Sequence, residues 1–365
     1  MAIELPNSAF ATVAPLFAAV PQDQTFIRAA MRDPNTRLLV DDPVDPSVAL
    51  LWPAVGNVAF LAGRRPPRNG ALADVVQLLL SFGAGNGSWL RLAMPFPEWS
   101  TALSSALGHA FAPRERRSYT FADQNGLERC ASIPLAGYRI RPMDEPLARD
   151  VAADADPEIA HHWPDFRGFV ERGVGFCAVE SSTGRAVSAA WSVHDPVDLV
   201  EIGAGTSEAH RGRGLSPATA GRLVAHCHAR GLDPRWSTDF DNLASRRVAA
   251  KVGFGNVIEH DWPLYTPFNA HRRSIDVPDE TTRDYHGRYT ANGTTITIAH
   301  DGRALRFFDQ LGQTLTLAAE SETHFFLREV SIQLTFTRGS DGRVDGFTRH
   351  QGGKAYRMER LPDDP

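Results

Sequence analysis

The sequence is poor in the features that mark disulfide-bonded, zinc-binding or membrane-spanning proteins. Its three cysteines, Cys130, Cys177 and Cys227, are an odd number, lie far apart and form no CxxC pair, so neither a disulfide framework nor a zinc site is predicted. No apolar run approaches the roughly 18 residues that span a bilayer, and the N-terminus lacks a basic flank followed by an apolar core. We therefore expect a cytoplasmic protein with no metal and no membrane contact.

The sequence also lacks an excess of positive charge. A formal net charge of -5 argues against a general electrostatic hold on nucleic acid or anionic lipid, so a small molecule or another protein is the expected partner. The chain has 365 residues, of which 42% are hydrophobic, and this length is too great for a single hydrophobic core. We expect two or three domains.

Two stretches of the chain alternate strand-like and helix-like patterns in a similar order. The first covers residues 1–135, with LLVDD, VALLW and NVAFLAG as strands and ALADVVQLLLSFG as a helix. The second covers residues 136–272, with GFCAVE, AVSAAWSVH and LVEIGAGT as strands before a glycine-rich turn. The pattern predicts two mixed α/β domains, and it leaves open whether they arose by internal duplication.

From residue 283 to residue 365 the hydrophobic period changes to two, which is typical of half-buried strands. Asn292-Gly293, Asp301-Gly302, Asp341-Gly342 and Gly352-Gly353 suit tight hairpin turns, because such turns need residues that tolerate positive φ. About eight strands over roughly 80 residues predict a small antiparallel barrel, which removes exposed sheet edges. Residues 271–284 are interpreted as the linker before it. The barrel's role stays open between homo-oligomerisation, a wall of an active site and a ligand site of its own.

The turn His210 to Ser216, HRGRGLS, joins an apolar strand to a helical stretch. Gly212 and Gly214 leave backbone N–H groups bare where a helix dipole favours an anion, so the turn suits a phosphate or pyrophosphate. A Walker loop requires Gly-Lys-Ser/Thr, and a dinucleotide fingerprint requires three glycines where this turn has two. The turn therefore fits neither of these two phosphate-binding designs. The third design considered is the acyl-coenzyme A loop.

The stretch SEAHRGRGLSPATAGRLVAHC resembles motif A of the GCN5-related N-acetyltransferase (GNAT) superfamily, and DFDNLASRRVAAKVGF resembles its N-x-x-A/S helix. The first Arg or Gln of motif A falls on Ala209 here. With GFCAVE and RGLDPRW, these blocks resemble the zwittermicin-resistance-like subfamily, which has an N-terminal α/β half. YHGRYT and GRALRFF resemble the lipocalin-like domain of some penicillin-recognising serine hydrolases. The implied fold is α+β, with two GNAT-like modules, the first degenerate, followed by a lipocalin-like β-barrel.

The resemblance implies an acyl-coenzyme A-dependent N-acyltransferase, in which an amine attacks the thioester directly in a ternary complex. Acetyl-CoA or another acyl-CoA would be the co-substrate, and the acceptor would be a small-molecule amine, with a specialised metabolite or antibiotic suggested by the subfamily. Motif A would bind the pantetheine and pyrophosphate through its strand and turn, and the second motif would add contacts from its helix. The cofactor-binding set carried over is Ile202, Gly203, Ala204, Gly205, Thr206, Arg211, Gly212, Arg213, Gly214, Leu215, Ser216, Asn242 and Ser245.

Three residues are candidate general bases. Glu201 is an acid among apolar neighbours on the strand, where burial would raise its pKa towards that of a useful base, and a structural or solvent-facing carboxylate is the alternative. Asp198 and His194 are reserve candidates. Asn242 is also a good helix N-cap, so capping alone could account for it.

Two observations keep other functions open. The position four residues before Gly253, where many relatives carry a tyrosine general acid, is Ala249, which motivates a non-catalytic GNAT scaffold that binds or sequesters a ligand. An acyltransferase that takes its acyl group from an acyl-carrier protein is a further alternative. His161-His162 and His226-x-His228 point to different faces of a helix, so they do not predict a shared metal site.

Overall fold

The computed structural model describes residues 3–18, 20–53, 58–64, 72–77, 79, 90–94, 97–112, 114–300, 304–308 and 314–362. The chain divides into two compact units. Unit 1 contains Met1–Arg68, Ala93–Pro95 and Glu115–Asp261, and unit 2 contains Asn69–Leu92, Phe96–Arg114 and Trp262–Pro365. The domain boundaries drawn above follow sequence similarity and stay predictions.

The strands and helices are numbered in chain order. The strands are β1 (Ile3–Leu5), β2 (Arg37–Val40), β3 (Val48–Trp52), β4 (Val58–Gly63), β5 (Leu90–Ala93), β6 (Phe111–Ala112), β7 (Glu115–Phe121), β8 (Tyr138–Pro142), β9 (Gly175–Glu180), β10 (Ala186–Ser192), β11 (Leu199–Thr206), β12 (Asp233–Asp239), β13 (Phe254–Asp261), β14 (Leu264–Tyr265), β15 (Gly287–Ala291), β16 (Thr294–His300), β17 (Leu305–Phe308), β18 (Thr314–Ala319), β19 (His324–Leu327), β20 (Ile332–Arg338), β21 (Val344–Gln351) and β22 (Lys354–Arg360). The helices are α1 (Phe10–Phe17), α2 (Gln24–Ala30), α3 (Pro97–Leu107), α4 (Gln124–Ala131), α5 (Glu145–Asp150), α6 (Glu158–His162), α7 (Phe166–Arg172), α8 (Leu215–Ala229), α9 (Leu243–Val252) and α10 (Asp279–Arg283). Residues 72–77 are helical as well, and the rest of the predicted helix ALADVVQLLLSFG lies mostly outside the described residues.

Unit 1 is built on a seven-stranded sheet with the order β13-β7-β12-β11-β10-β9-β8. Within it, β11 and β12 run parallel and the other neighbours run antiparallel. Helix α8 buries one apolar stripe, because Ala220, Leu223, Val224 and Cys227 are each 0% exposed, as the helical spacing predicts. The N-terminal strands β1 to β4 of the same unit pair antiparallel in chain order.

The two α/β stretches, residues 1–135 and residues 136–272, are called the N-terminal half and the C-terminal half. Their sheets share an arrangement of strands that the sequence does not indicate. In unit 1, β7 lies between β12 and β13, the strands on either side of α9. In unit 2, β14 lies between β5 and β6, the strands on either side of α3. Strand β7 follows β6 in sequence and β14 follows β13, so each half of the chain supplies the inserted strand of the other half's sheet.

Unit 2 contains a closed antiparallel barrel of eight strands, β15 to β22 in chain order, which confirms the predicted barrel. The turn glycines Gly293, Gly342, Gly352 and Gly353 have positive φ, as predicted, and Asp301-Gly302 lies outside the described residues. Buried aromatic and aliphatic side chains fill the interior, where the rings of Tyr285 and Phe336 stack with centroids 4.1 Å apart. The barrel therefore has a packed core.

The segment interpreted as a linker is bound within unit 2. Ser274 Oγ and His109 Nε2 lie 3.0 Å apart, Arg272 makes two hydrogen bonds to the Glu320 carboxylate, and Ile275 forms a β-bridge with Ala319. These contacts engage Arg272, Ser274 and Ile275 of the segment, and its interpretation as a linker between domains stays a prediction.

Candidate functional site

Strands β11 and β12 separate partway along their length. Their parallel pairing joins Leu199 to Asp233, Val200 to Pro234 and Glu201 to Arg235. Strand β11 stays paired with β10 on its other edge as far as Thr206. The two strands therefore form a V whose apex is at Glu201, and one backbone edge of residues 202–206 faces the opening.

Side chains of β11 alternate between two faces. Val200 and Ile202 are buried in the core beneath α8, whereas Glu201, Gly203 and Gly205 face the opposite side. A Cβ at Gly203 would lie 2.6 Å from the Trp191 indole, and one at Gly205 would lie 2.6 Å from the Asp156 Cβ. Close packing of protein groups thus requires both glycines, and the backbone edge remains the part of this strand that can meet a ligand.

The glycine turn has the geometry predicted for an anion site. Gly212 and Gly214 both have φ of 77°, a region that favours glycine, and Gly214 is the N-cap of α8. The first N–H groups of α8 lack intrahelical acceptors, and the helix dipole adds positive potential there. The Arg211 N–H donates to the Glu208 carbonyl oxygen at 3.2 Å, so this N–H already has a partner within the protein, and the contact of residues 211–216 with a cofactor stays a prediction.

The arginine side chains of the turn are anchored by protein groups. Arg213 Nη1 donates to the Tyr138 hydroxyl at 2.7 Å, and that hydroxyl also lies 2.9 Å from His210 Nδ1. Arg211 Nε donates weakly to the Thr206 carbonyl oxygen at 3.4 Å. These contacts stiffen the turn and keep positive charge beside it.

A cleft of about 670 Å³ opens beside the turn. Gly212, Arg213 and Gly214 form one wall, and Arg129 of α4 and Lys251 of α9 lie on the others. Helix α4 packs closely against α8 because Gly221 of α8 has no side chain. A Cβ at Gly221 would lie 2.7 Å from the Cys130 Cβ. The sequence offered no signal for Arg129 and Lys251, which lie far from the turn in the chain.

Asn242 and Ser245 are both engaged by the protein itself. Asn242 Oδ1 accepts from the Ser245 N–H at 3.0 Å, which confirms the predicted N-cap of α9. Ser245 Oγ accepts from Trp236 Nε1 at 3.0 Å. Their contact with a cofactor stays a prediction. Ala249, in the position of the family's tyrosine, is 0% exposed, so this position faces the core.

Glu201 lies at the apex of the V and is 5% exposed. Its Oε1 accepts from Ser237 Oγ at 2.7 Å, and its Oε2 accepts from Thr25 Oγ1 at 3.1 Å. Burial raises the pKa of Glu201, while the Ser237 hydroxyl, the Arg116 charge and the Thr25 hydroxyl partly offset that rise. Of the alternatives left open, Glu201 is therefore a buried carboxylate and not a solvent-facing one, and its role as a base stays a prediction.

A small pocket of about 160 Å³ adjoins Glu201, and its lining combines polar and apolar groups. It is lined by side chains from the N-terminal segment and from four strands of the sheet, among them Gln24, Thr25, Tyr119, Arg235 and Asn256. Arg116 of β7 supports it by donating to Ser237 Oγ at 2.9 Å and to Asp239 Oδ1 at 2.7 Å. Sequence reasoning missed Thr25, Ser237 and Arg116, since nothing local connects them to Glu201.

The two reserve bases have different surroundings. Asp198 is half exposed and forms an ion pair with Arg28 of α2. The ring of His194 packs against Phe26 and His162, with centroids 5.0 and 5.3 Å away. Burial, and secondly the neighbouring His162, lower the pKa of His194 to about 3, so its imidazole is neutral near pH 7.

A second buried carboxylate covers the open arm of β11. Asp156 follows the π-helical turn Val151–Ala155, and its Oδ2 accepts from Trp191 Nε1 at 2.9 Å. Burial raises the pKa of Asp156 to about 6. Single-turn π-helices occur often at functional sites, but the sequence pattern did not reveal this one.

Neither metal binding nor a membrane span is indicated in the described residues. No group of three or more His, Cys, Asp and Glu side chains there is placed to hold a metal ion. In the same part of the chain, no helix combines the length and the apolar character needed to cross a bilayer.

Comparisons with known proteins identify a matching family and similar folds. The sequence profile of the family described as GNAT acetyltransferase matches residues 14–265, more than half of the chain. The chain is also similar to "Uncharacterized N-acetyltransferase YdfB" of Bacillus subtilis (strain 168), with 25% identity over 162 residues. That match covers 44% of this chain and 60% of the Bacillus protein.

Solved structures share the fold. A GCN5-related N-acetyltransferase-like protein from Streptococcus suis 89/1591 superposes with a TM-score of 0.55 and 23% identity, over 72% of this chain and 99% of that one. A GCN5-related N-acetyltransferase from Sphaerobacter thermophilus gives 0.53 and 15%, over 76% and 97%. A tandem GNAT protein from the clavulanic acid biosynthesis pathway gives 0.50 and 15%, over 72% and 97%.

Proposed function

Because the chain belongs to the GNAT acetyltransferase family, we propose that it transfers an acyl group from an acyl-coenzyme A, most simply acetyl-coenzyme A, to a small-molecule amine. One observation carries the proposal: β11 and β12 part directly after a buried carboxylate, and the glycine turn at the N-terminus of α8 follows the open arm. The V can hold an extended thioester arm between its strands, with the carboxylate next to the reacting end.

The residues of this chain divide the work as follows. The N–H groups from Gly212 to Ser216 bind the pyrophosphate, and Arg129, Arg213 and Lys251 add positive charge around the cleft. The open backbone edge from Ile202 to Thr206 binds the pantetheine amides and offers an N–H to the developing oxyanion. The bound thioester supplies the activated carbonyl and the thiolate leaving group.

Glu201 removes the proton from the acceptor ammonium so that the free amine can attack. Its raised pKa suits a base that works near neutral pH. The adjoining pocket of about 160 Å³, whose lining combines polar and apolar groups, can receive the part of the acceptor beside Glu201. We extend the proposal to small-molecule amines of specialised metabolism.

The test combines two assays on the full chain with acetyl-coenzyme A and an amine library. Mass spectrometry detects acylated amines, and a thiol reagent measures released coenzyme A. Glu201→Gln, which keeps the shape and loses the base, should retain acetyl-coenzyme A binding in calorimetry and lose turnover. Binding by the wild type without any thiol release or acylated amine contradicts the transferase.

A second candidate function is a GNAT scaffold that binds a ligand without turnover. The core-facing Ala249 favours it, because that position has no side chain able to protonate a leaving thiolate. Saturable binding with no thioester consumption is the expected result for this candidate. If free acetyl-coenzyme A does not bind and an acylated carrier protein restores activity, the donor is a carrier protein instead.

A further inference from the structure

The carboxylate at the apex of the V is held from two distant parts of the chain. Thr25, in helix α2 of the N-terminal half, donates from Oγ1 to Glu201 Oε2 across a separation of 176 residues. Thr25 is 9% exposed and Glu201 is 5% exposed. A hydrogen bond between two such buried groups is shielded from competing water, so it acts on the carboxylate more strongly than a surface contact does.

The other carboxylate oxygen is held by the sheet itself. Ser237 Oγ donates to Glu201 Oε1 at 2.7 Å, and Ser237 Oγ in turn accepts from Arg116 Nη2 at 2.9 Å. Strands β7, β11 and β12 therefore fix one oxygen, while a single helix from the N-terminal half holds the other. The two hydroxyls together set the plane of the carboxyl group.

We propose that Thr25 is a positioning residue for Glu201, so that the N-terminal half completes the acyl-transfer site of the C-terminal half. The inference rests on the proposed function, in which Glu201 takes the proton of the acceptor amine. Thr25 orients Oε2 and stabilises the ionised carboxylate by donating to it. It makes no contact with the reacting atoms in this role.

Helix α2 makes a second contact that supports this arrangement. Arg28, one turn after Thr25, forms an ion pair with Asp198 immediately before β11. Gln24, which precedes Thr25, donates from Nε2 to the carbonyl oxygens of Phe17 and Val20. Contacts thus hold helix α2 on both sides of Thr25, and they fix the position from which the Thr25 hydroxyl donates to Glu201.

The charges near Glu201 come from other elements and are unchanged by substitution of Thr25. Arg116 of β7 lowers the pKa of Glu201 against the larger effect of burial, and Asp239 of β12 pairs with Arg116. Other charged or titratable groups of the described residues around the site are Arg28 with Asp198, Arg235 with Asp233, Tyr119 of β7 and His260 of β13. A shift caused by removing only the Thr25 hydroxyl can therefore be assigned to the lost hydrogen bond.

The experiment measures the titration of the Glu201 carboxyl group directly, in the full chain labelled with ¹³C at the glutamate carboxyl carbons. The Glu201 resonance is assigned by its loss in Glu201→Gln. Thr25→Val keeps the shape and removes the hydroxyl, and it should raise the pKa of Glu201 by on the order of 0.5–1 unit, because a hydrogen bond to the charged form is lost. Thr25→Ser should restore the wild-type midpoint, and Thr25→Ala replaces Thr25→Val if the valine variant does not fold.

A matched control is Thr282→Val in unit 2, where a buried threonine hydroxyl donates to the Asp279 carbonyl oxygen at 3.1 Å. This control should leave the Glu201 midpoint unchanged. An unchanged midpoint in both Thr25→Val and Thr25→Ala overturns the inference, whatever the enzyme does with amines.

The activity readout separates this inference from the proposed function. With an acceptor found in the amine library, the acid limb of the kcat/KM profile should move to higher pH in Thr25→Val and return in Thr25→Ser. A shifted carboxyl midpoint without any turnover in the wild type would retain the Thr25–Glu201 coupling and reject the transferase. A shifted midpoint with an unmoved acid limb would reject the positioning role in catalysis.

Discussion

Strands β11 and β12 of unit 1 and the barrel of unit 2 differ in how far their backbone hydrogen-bond ladders continue. Strand β11 pairs with β12 over three residues and then leaves it, whereas the barrel strands pair with neighbours around a closed ring. The barrel encloses a cluster of buried aromatic and aliphatic side chains, while the V opens beside a cleft and a pocket.

The two regions differ in where their backbone N–H and C=O groups find hydrogen-bond partners. A closed ladder satisfies backbone groups internally and gains stability from a filled core, which suits a structural role. An interrupted ladder leaves N–H and C=O groups for water or a ligand to satisfy. The glycines at 203 and 205 then let Trp191 and Asp156 cover the other face of the same strand, and β10 stays paired with the open arm as far as Thr206.

The packed core of the closed barrel is tested by Phe347→Ala, which has the largest expected effect. Phe347 is 0% exposed, and its ring contacts those of Tyr289 and Phe336 at 4.9 and 5.3 Å. Loss of this packing should lower the free energy of unfolding by about 3–5 kcal/mol, measured by chemical denaturation. Tyr356→Ala, at a half-buried tyrosine beside Arg349, should cost under about 1 kcal/mol. Equal effects of the two variants would contradict a filled core.

The open side is tested by Gly214→Glu, which places a bulky anion at the N-terminus of α8 in a residue with φ of 77°. We expect acetyl-coenzyme A affinity to fall at least about 100-fold, or ~2.7 kcal/mol, because charge and backbone strain both oppose the pyrophosphate. Calorimetric titration provides the measurement. Gly342→Glu, at a barrel turn with φ of 80°, is the matched control and should bind as the wild type does. Retained affinity in a folded Gly214→Glu protein would remove the turn from the cofactor site.

The support of the open arm is tested by Gly205→Ala. The added methyl group would lie 2.6 Å from the Asp156 Cβ, so the π-helical turn would have to move, at a cost of about 1–3 kcal/mol in unfolding free energy. Gly255→Ala adds a methyl group 3.2 Å from the Ala122 Cβ and should cost less. Thermal denaturation of the two variants measures the difference, and a larger loss for Gly255→Ala would contradict the close packing over β11.

The smallest effect separates capping from cofactor contact at Asn242. Asn242→Ala removes the N-cap of α9 and should lower the free energy of unfolding by about 1 kcal/mol, with Asn242→Ser restoring it. Because Asn242 Oδ1 already accepts from the Ser245 N–H, we expect acetyl-coenzyme A affinity in calorimetry to change less than stability. A loss of affinity that Asn242→Ser does not restore would assign Asn242 to the cofactor.

Local patterns predicted the parts of the site that depend on neighbouring residues. The strand, glycine turn and helix around Gly212 and Gly214 follow from φ preferences and helix-end chemistry, and both glycines do adopt positive φ. The caps of α9 at Asn242 and Gly253 follow from the same rules. The hairpins of the barrel were predicted by hydrophobic alternation and by glycine-containing dipeptides, because these patterns also depend only on neighbouring residues.

Contacts between distant segments were not predictable from these patterns. Thr25 meets Glu201 across 176 residues, and Arg129 and Lys251 meet the turn through the packing of α4 and α9. The insertion of β7 between β12 and β13, and of β14 between β5 and β6, was also missed. A strand's pattern indicates that it pairs but does not identify its partner.

The sequence alone determined the family, the classes of secondary structure and the positive-φ glycine turn at the start of α8, because each depends on local geometry or on a motif of ordered residues. Only the tertiary structure decided which hydroxyls hold Glu201, where β11 parts from β12, and which cations face the cleft. Those outcomes depend on burial and on long-range packing, and Glu201 illustrates this dependence. The sequence identifies residue 201 as an acidic residue, but the raised pKa of Glu201 follows from the groups that bury it and hydrogen-bond to it.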